Sequence, residues 1–211
     1  MRRRAVLLGV LAASCASPEP AYYTLAPVPG AAVSGASGSA RPAGGGPRTV
    51  QLRRPGLAGY LDRPEIVRGG GPYQLRVADT ERWGESLESL IGRVTAENLS
   101  TRLPGTTVFT EAGSITADAD ATVELDISRF DADASGQVVL VAQVSVQRGR
   151  EPEATRTRTL RLTATPTSSG TAQLVAAMSQ ALGQLADEVT AMLRAGAPSA
   201  VQPVSRRGRT R

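Results

Sequence analysis

The residue of this 211-residue chain whose position most directly implies chemistry is its single cysteine, Cys15. Three arginines, Arg2, Arg3 and Arg4, open the chain, and an apolar run follows from Ala5 to Ala13. Ala13 and Ser14 are the small residues a signal peptidase needs beside its cut, and Cys15 comes next. Basic, apolar, small is the order of an export signal, which takes no part in the mature fold. With a cysteine at the cut it reads as a lipoprotein signal. The thiol takes a diacylglycerol, residues 1–14 are removed, and the chain begins at a lipidated Cys15. Two blander readings stand beside this one: an ordinary secretory signal, or a cysteine that is a small buried hydrophobe. Lipidation is favoured because every region falls in order. Each buried methylene then contributes about 0.8 kcal/mol, and the several acyl chains of a lipoprotein hold where a single chain binds marginally.

Other chemistry is thin. The chain has no histidine, which removes Ser-His-Asp and Cys-His nucleophiles, imidazole bases and most zinc sites. No Walker loop or GxGxxG follows a strand. Asp118 with Asp120, and Glu124 with Asp126, fall at turn and outward strand positions and form no convergent pair. Asp131-Ala132-Asp133-Ala134-Ser135-Gly136 opens like an EF-hand loop. The twelfth position, however, is Ala142 where a bidentate glutamate is required, so the segment reads as a hairpin turn. No enzyme activity, metal or cofactor is expected.

Charge points the same way. The chain holds 24 basic residues, all arginine, against 19 acidic ones. Losing Arg2, Arg3 and Arg4 with the signal leaves 21 against 19, and Arg206, Arg207, Arg209 and Arg211 crowd the last six residues. The body between the ends is slightly acidic. With only seven aromatic residues for stacking, it is not a nucleic-acid binder. The terminal arginines read as a solvated tail, with contact to anionic headgroups as the alternative. One cysteine allows no internal disulfide. No later stretch is long and apolar enough to span a bilayer.

The elements around these residues are legible from period. A linker at 15–21 leads to a short strand at Tyr22-Tyr23-Thr24-Leu25. Residues 26–48, rich in Ala, Gly, Pro and Ser, read as a flexible loop. Thr49 to Arg53 and Tyr73 to Val77 read as strands, and Gly69-Gly70-Gly71-Pro72 as a turn. A helix is predicted from about Glu85 to Leu103, with Leu87, Leu90, Ile91 and Val94 on one face and Pro104-Gly105 ending it. A short strand at Thr106 to Thr110 comes next. Alternation around Val123, Leu125 and Ile127, then over Gln137 to Gln147 and Thr155 to Thr165, predicts an antiparallel meander. A second helix spans Thr171 to Arg194, capped by Ser169 or Thr171, with Leu174, Met178, Ala181, Leu182, Leu185, Val189 and Met192 in one stripe. The domain is thus expected over 22–196, with a disordered arginine-rich tail over 197–211. The fold class expected is α+β, a mainly antiparallel sheet with two helices packed on one side.

Three stretches together carry a resemblance. These are Tyr22-Tyr23-Thr24-Leu25 soon after the cysteine, Tyr60-Leu61-Asp62-Arg63-Pro64-Glu65-Ile66-Val67, and Trp83-Gly84-Glu85-Ser86-Leu87 running into a helix with Asn98-Leu99. Over about residues 22–194 the chain resembles the PqiC-type (YmbA-like) ABC-transport auxiliary lipoproteins. The resemblance implies a periplasmic, non-catalytic lipoprotein working beside an MCE-domain protein in intermembrane lipid transport. It also implies a homo-oligomeric ring as an accessible assembly. Ala16 after Cys15, with no aspartate there, points to the outer membrane. The motif of Tyr60, Leu61, Asp62, Arg63 and Pro64 has two readings, a partner contact or a structural corner, and the structural one is favoured. Trp83 likewise reads as a core anchor before a contact. The competing function is a stand-alone lipoprotein that binds a small apolar ligand or assists envelope assembly. A deep pocket would support that, and an exposed edge or apolar patch would support docking.

Overall fold

The computed structural model describes residues 19–30, 46–71, 73–113, 117–149 and 155–195. The predicted signal, Cys15, the centre of the 26–48 loop and the 197–211 tail lie outside these residues. Among the described residues the chain builds nine strands and two α-helices, an α+β fold as expected.

The meander is the frame. β7 (Ala121–Ala132), β8 (Val138–Arg148) and β9 (Thr155–Ala164) pair antiparallel in sequence order. Alternation sets their faces: Val123, Leu125 and Ile127 are buried, as are Val138, Leu140, Ala142, Val144 and Val146. β7 and β8 each turn an apolar row inward, while β9 buries only Leu160 and Ala164. On the far edge of β7 two short strands pair in parallel, β2 (Thr49–Leu52) and β3 (Gly56–Leu57), and β6 (Thr107–Thr110) pairs parallel with β2. The sheet is therefore mixed at this edge and antiparallel through the meander, in keeping with the mainly antiparallel sheet expected. Parallel pairing here needs a crossover, and α1 (Leu87–Arg102) lies between β2 and β6 in the chain.

A bulge breaks the β7–β8 ladder between Ile127 and Arg129. One extra residue shifts which side chains face in. Beyond it Phe130 joins the main core, and Asp131 is buried as well, at 3% exposure.

A second, three-stranded sheet has the order β1 (Ala21–Tyr23), β5 (Gln74–Trp83), β4 (Glu65–Gly71). Here the structure corrects the sequence reading. Gly69 to Gly71 belong to β4 and form no turn, and β5 runs six residues past Val77 to Trp83. The glycine at 69 is a close-approach residue: a Cβ there would lie 2.5 Å from the Ala132 carbonyl oxygen. A glycine can mark a close backbone approach as well as a turn.

α2 (Thr171–Arg194) crosses the meander and packs on β7, β8 and β9, while α1 packs on α2 and β6. All seven residues of the predicted α2 stripe are buried, from Leu174 to Met192. The cap differs from expectation. Gly170 occupies the N-cap and no side chain caps the helix, because the Thr171 hydroxyl is bonded to Glu81 on β5. α1 starts at Leu87 with Ser86 as N-cap, its side chain accepting from the Ser89 amide at 3.2 Å.

α1 buries more than its apolar stripe. Asn98 is fully buried and Arg102 is 5% exposed. The Val28 amide donates to Asn98 Oδ1 at 2.8 Å, and Arg102 donates to the Val28 carbonyl at 3.0 Å. The Ala26 amide donates to Ser179 Oγ on α2 at 3.1 Å. The opening of the predicted 26–48 loop is thus pinned between the two helices, its backbone groups satisfied by side chains.

Candidate interaction surfaces

The Tyr60–Pro64 motif sits between β3 and β4, and the structure divides it in two. A 3₁₀ turn over Gly59–Leu61 brings Tyr60 and Leu61 inward. Leu61 is 2% exposed. The half-buried Tyr60 donates its hydroxyl to Asp131 Oδ2 at 2.6 Å. Arg129 donates to the other carboxylate oxygen from Nε at 3.1 Å and Nη2 at 2.9 Å. Burial, then the Asp131 carboxylate, hold the Tyr60 phenol well above its ordinary pKa. Asp131 is therefore neither a calcium ligand nor a turn residue. It is a buried acceptor that fastens the corner to β7. Nothing in the local sequence links position 60 to position 131. The available signal is that the apolar–polar alternation of β7 breaks after Ile127, where Arg129 falls in place of an inward apolar residue.

The other half of the motif faces out. Asp62, Arg63 and Pro64 are exposed. The Pro64 carbonyl accepts from the Trp83 amide at 2.7 Å, which ties β4 to β5. The side chains of Asp62 and Arg63 have no hydrogen bond or ion pair among the described residues. They stand free on a corner that Tyr60, Leu61 and Pro64 hold in place. Trp83, 5% exposed, is part of the main core.

Asp131 and Ala132 close β7, and the β7–β8 turn begins at Asp133. Asp133 Oδ1 accepts from the Ser135 hydroxyl at 2.6 Å, the Ser135 amide at 2.8 Å and the Gln137 amide at 3.1 Å. The Ser135 hydroxyl bond leads in holding the Asp133 carboxyl below its usual range. Gly136, at φ 85°, supplies the left-handed position the turn requires. No group of three or more His, Cys, Asp or Glu side chains suited to a metal ion occurs among the described residues.

A groove of about 900 Å³ runs between α1, β2 and β6, with Leu52, Pro55, Ala96, Val108 and Phe109 among its lining residues. Its rim is charged and paired. Arg93 donates to Glu85 at 2.9 Å and to Glu97 at 3.4 Å, Arg54 lies 3.3 Å from Glu88, and Arg53 lies 3.7 Å from Glu111. The groove opens beside the sheet edge and does not enter the core of the meander.

Exposed apolar side chains lie elsewhere. The large ones among the described residues are Tyr22, Tyr73, Leu75 and Val77, at 66%, 103%, 48% and 40% exposure. All four belong to the small sheet and its hairpin, and none to the meander.

A bulged meander, a helix pair and a tethered corner define a small α+β domain. The chain belongs to the family of ABC-type transport auxiliary lipoprotein components, whose model matches residues 23–190. This is the PqiC/YmbA-like family that the sequence resembles. The fold is similar to a crystal structure of an uncharacterized protein, with TM-score 0.66 and 18% identity over 82% of this chain and 98% of that one. It is also similar to protein XCC0632 from Xanthomonas campestris, of family DUF330, with TM-score 0.61 and 18% identity over 81% and 92%. No curated protein matches the chain. No helix among the described residues is long and apolar enough to cross a membrane.

Proposed function

We propose that this chain is a non-catalytic, lipid-anchored periplasmic subunit of an MCE-type ABC intermembrane lipid transport system. It docks the MCE conduit at the outer membrane, to which Cys15 attaches it. Family membership over residues 23–190 carries this reading. The surface geometry supports it: the free Asp62 and Arg63, on a corner braced from below, have the form of a polar recognition point on a rigid support. An exposed apolar patch on the small sheet adds a second contact area. Assembly into a ring of copies belongs to the same proposal.

The test is a pull-down from detergent-solubilised envelopes, comparing wild type, Cys15→Ala and the pair Asp62→Arg with Arg63→Glu, read by mass spectrometry. Co-purification of an MCE-domain protein with wild type, lost in the charge-reversed pair, supports docking through the corner. Absence of any MCE protein from a lipidated, folded wild type removes it.

The groove beside α1 gives the ligand-binding alternative its own observation. A stoichiometric lipid carried through purification, and released by Val108→Trp, would shift the reading to a stand-alone binding protein.

A further inference from the structure

The exposed apolar residues of the small sheet and the path of the N-terminus converge. β1 pairs parallel with β5, Ala21 opposite Glu81 and Tyr23 opposite Trp83. In β5 the hairpin turn precedes Glu81, so the chain enters β1 on the hairpin side of that pairing. Between Cys15 and Ala21 there are six residue steps, a reach of roughly 20 Å when extended. Leu75 is also six residues from Glu81, and a register shift opposite Glu65–Val67 makes the distance along the sheet shorter than that reach. An anchor at Cys15 thus reaches the hairpin's outer half, where Tyr73, Leu75 and Val77 are exposed. Leu75 and Val77, two apart in a regular stretch of the β4–β5 ladder, share one face.

Charge agrees. From Ile66 to Ala78 the hairpin holds two arginines, Arg68 and Arg76, and no acidic residue. Arg68 is paired with Glu81. Arg76 is exposed and has no ion pair among the described residues. A fully exposed tyrosine and two aliphatic side chains on the hairpin match the chemistry of a lipid headgroup boundary, while Arg76 projects from the opposite face of β5. Aromatic rings and aliphatic side chains sit at that boundary.

We infer that the outer half of the β4–β5 hairpin is a second membrane contact, seating Tyr73, Leu75 and Val77 in the interface of the bilayer that holds the Cys15 lipid. This inference rests on the lipid-anchor reading of Cys15. The hairpin fixes the orientation that a flexible lipid tether leaves free, and presents the rest of the domain at a set height above the membrane.

The sole cysteine provides the test. In the full-length lipoprotein, Cys15 is consumed as a thioether, so Tyr73→Cys carries the one free thiol. Gln180→Cys, exposed on α2, is the control. Each is labelled with an environment-sensitive nitrobenzoxadiazole dye. The proteins are reconstituted into vesicles of phosphatidylethanolamine and phosphatidylglycerol, with and without headgroup-level nitroxide lipid. The hairpin label should shift to the blue and lose emission to the nitroxide lipid, while the control keeps a water-like spectrum and is not quenched. A lipidated chain whose hairpin label stays water-like overturns the inference. A blue-shifted label that nitroxide lipid does not quench also overturns it, because the label then sits against protein and not lipid. Two titratable thiols per chain, with no diacylglycerol mass, show that the anchor reading itself has failed and remove the inference with it.

Discussion

The Tyr60 hydroxyl donates to Asp131 Oδ2 at 2.6 Å across 71 residues of sequence. This bond joins the corner that bears the exposed Asp62 and Arg63 to the end of the bulged strand β7. Asp131 is 3% exposed and Arg129 occupies its other oxygen. A carboxylate this deep must keep its partners, because an unmade bond there costs the full desolvation of the group.

Tyr60→Phe removes the donor and keeps the ring. It is expected to destabilise the domain by about 1–3 kcal/mol, read as a lower urea midpoint with unchanged slope. Unchanged stability would mean that water replaces the hydroxyl at Asp131.

The same phenol predicts a pH dependence. Its pKa is raised in the folded state, so above the ordinary value of 10.0 the unfolded chain releases a proton that the folded chain retains. Folding stability therefore falls as pH rises through 10, and Tyr60→Phe should flatten that decline. Parallel urea titrations of the two proteins between neutral and strongly alkaline pH measure it; identical slopes would remove Tyr60 as the cause.

Gly69→Ala places a Cβ 2.5 Å from the Ala132 carbonyl oxygen, a backbone atom that cannot swing aside. Forcing β4 off β7 should cost about 1–3 kcal/mol. Gly59→Ala meets nothing within 4 Å and should stay within about 0.5 kcal/mol of wild type. Thermal melts of the two variants distinguish a specific close approach from a general intolerance of change near the corner.

Arg102 donates to Asp187 Oδ1 at 2.6 Å while itself 5% exposed. Asp187 has a half-exposed side chain, so water weakens the pair. Asp187→Ala leaves the arginine buried without its counter-ion, at a cost of about 1–2 kcal/mol once solvent screening is allowed for. Arg102→Met removes the charge and fills most of the space, so it should cost less than Asp187→Ala. The reverse order would show that the bonds from Arg102 to the Val28 and Asn98 carbonyls outweigh the ion pair.

Ser86→Ala should cost about 1 kcal/mol through loss of the α1 cap. Native-state hydrogen exchange at the Ser89 amide, the cap's donor, reports it directly.

Local pattern determined much of this protein. The α2 stripe from Leu174 to Met192 and the alternation through Val123, Leu125 and Ile127 each reflect a period that one element imposes on its own residues. The meander, both helices and the α+β class were legible for that reason, and the quoted motifs carried the family. What the tertiary structure decided are the events that need two distant segments at once. The bulge after Ile127 turns Asp131 beneath Tyr60, Gly69 meets Ala132, Thr171 bonds Glu81 in place of capping α2, and Val28 is held by Asn98 and Arg102. In each, a polar or minimal side chain answers a group brought near by packing, and short-range periodicity carries no trace of that group. The candidate surfaces followed the same rule. Asp62 and Arg63 were in view from the start, but their freedom, and the company Tyr73, Leu75 and Val77 keep with the start of β1, depend on which strands pair and in which direction.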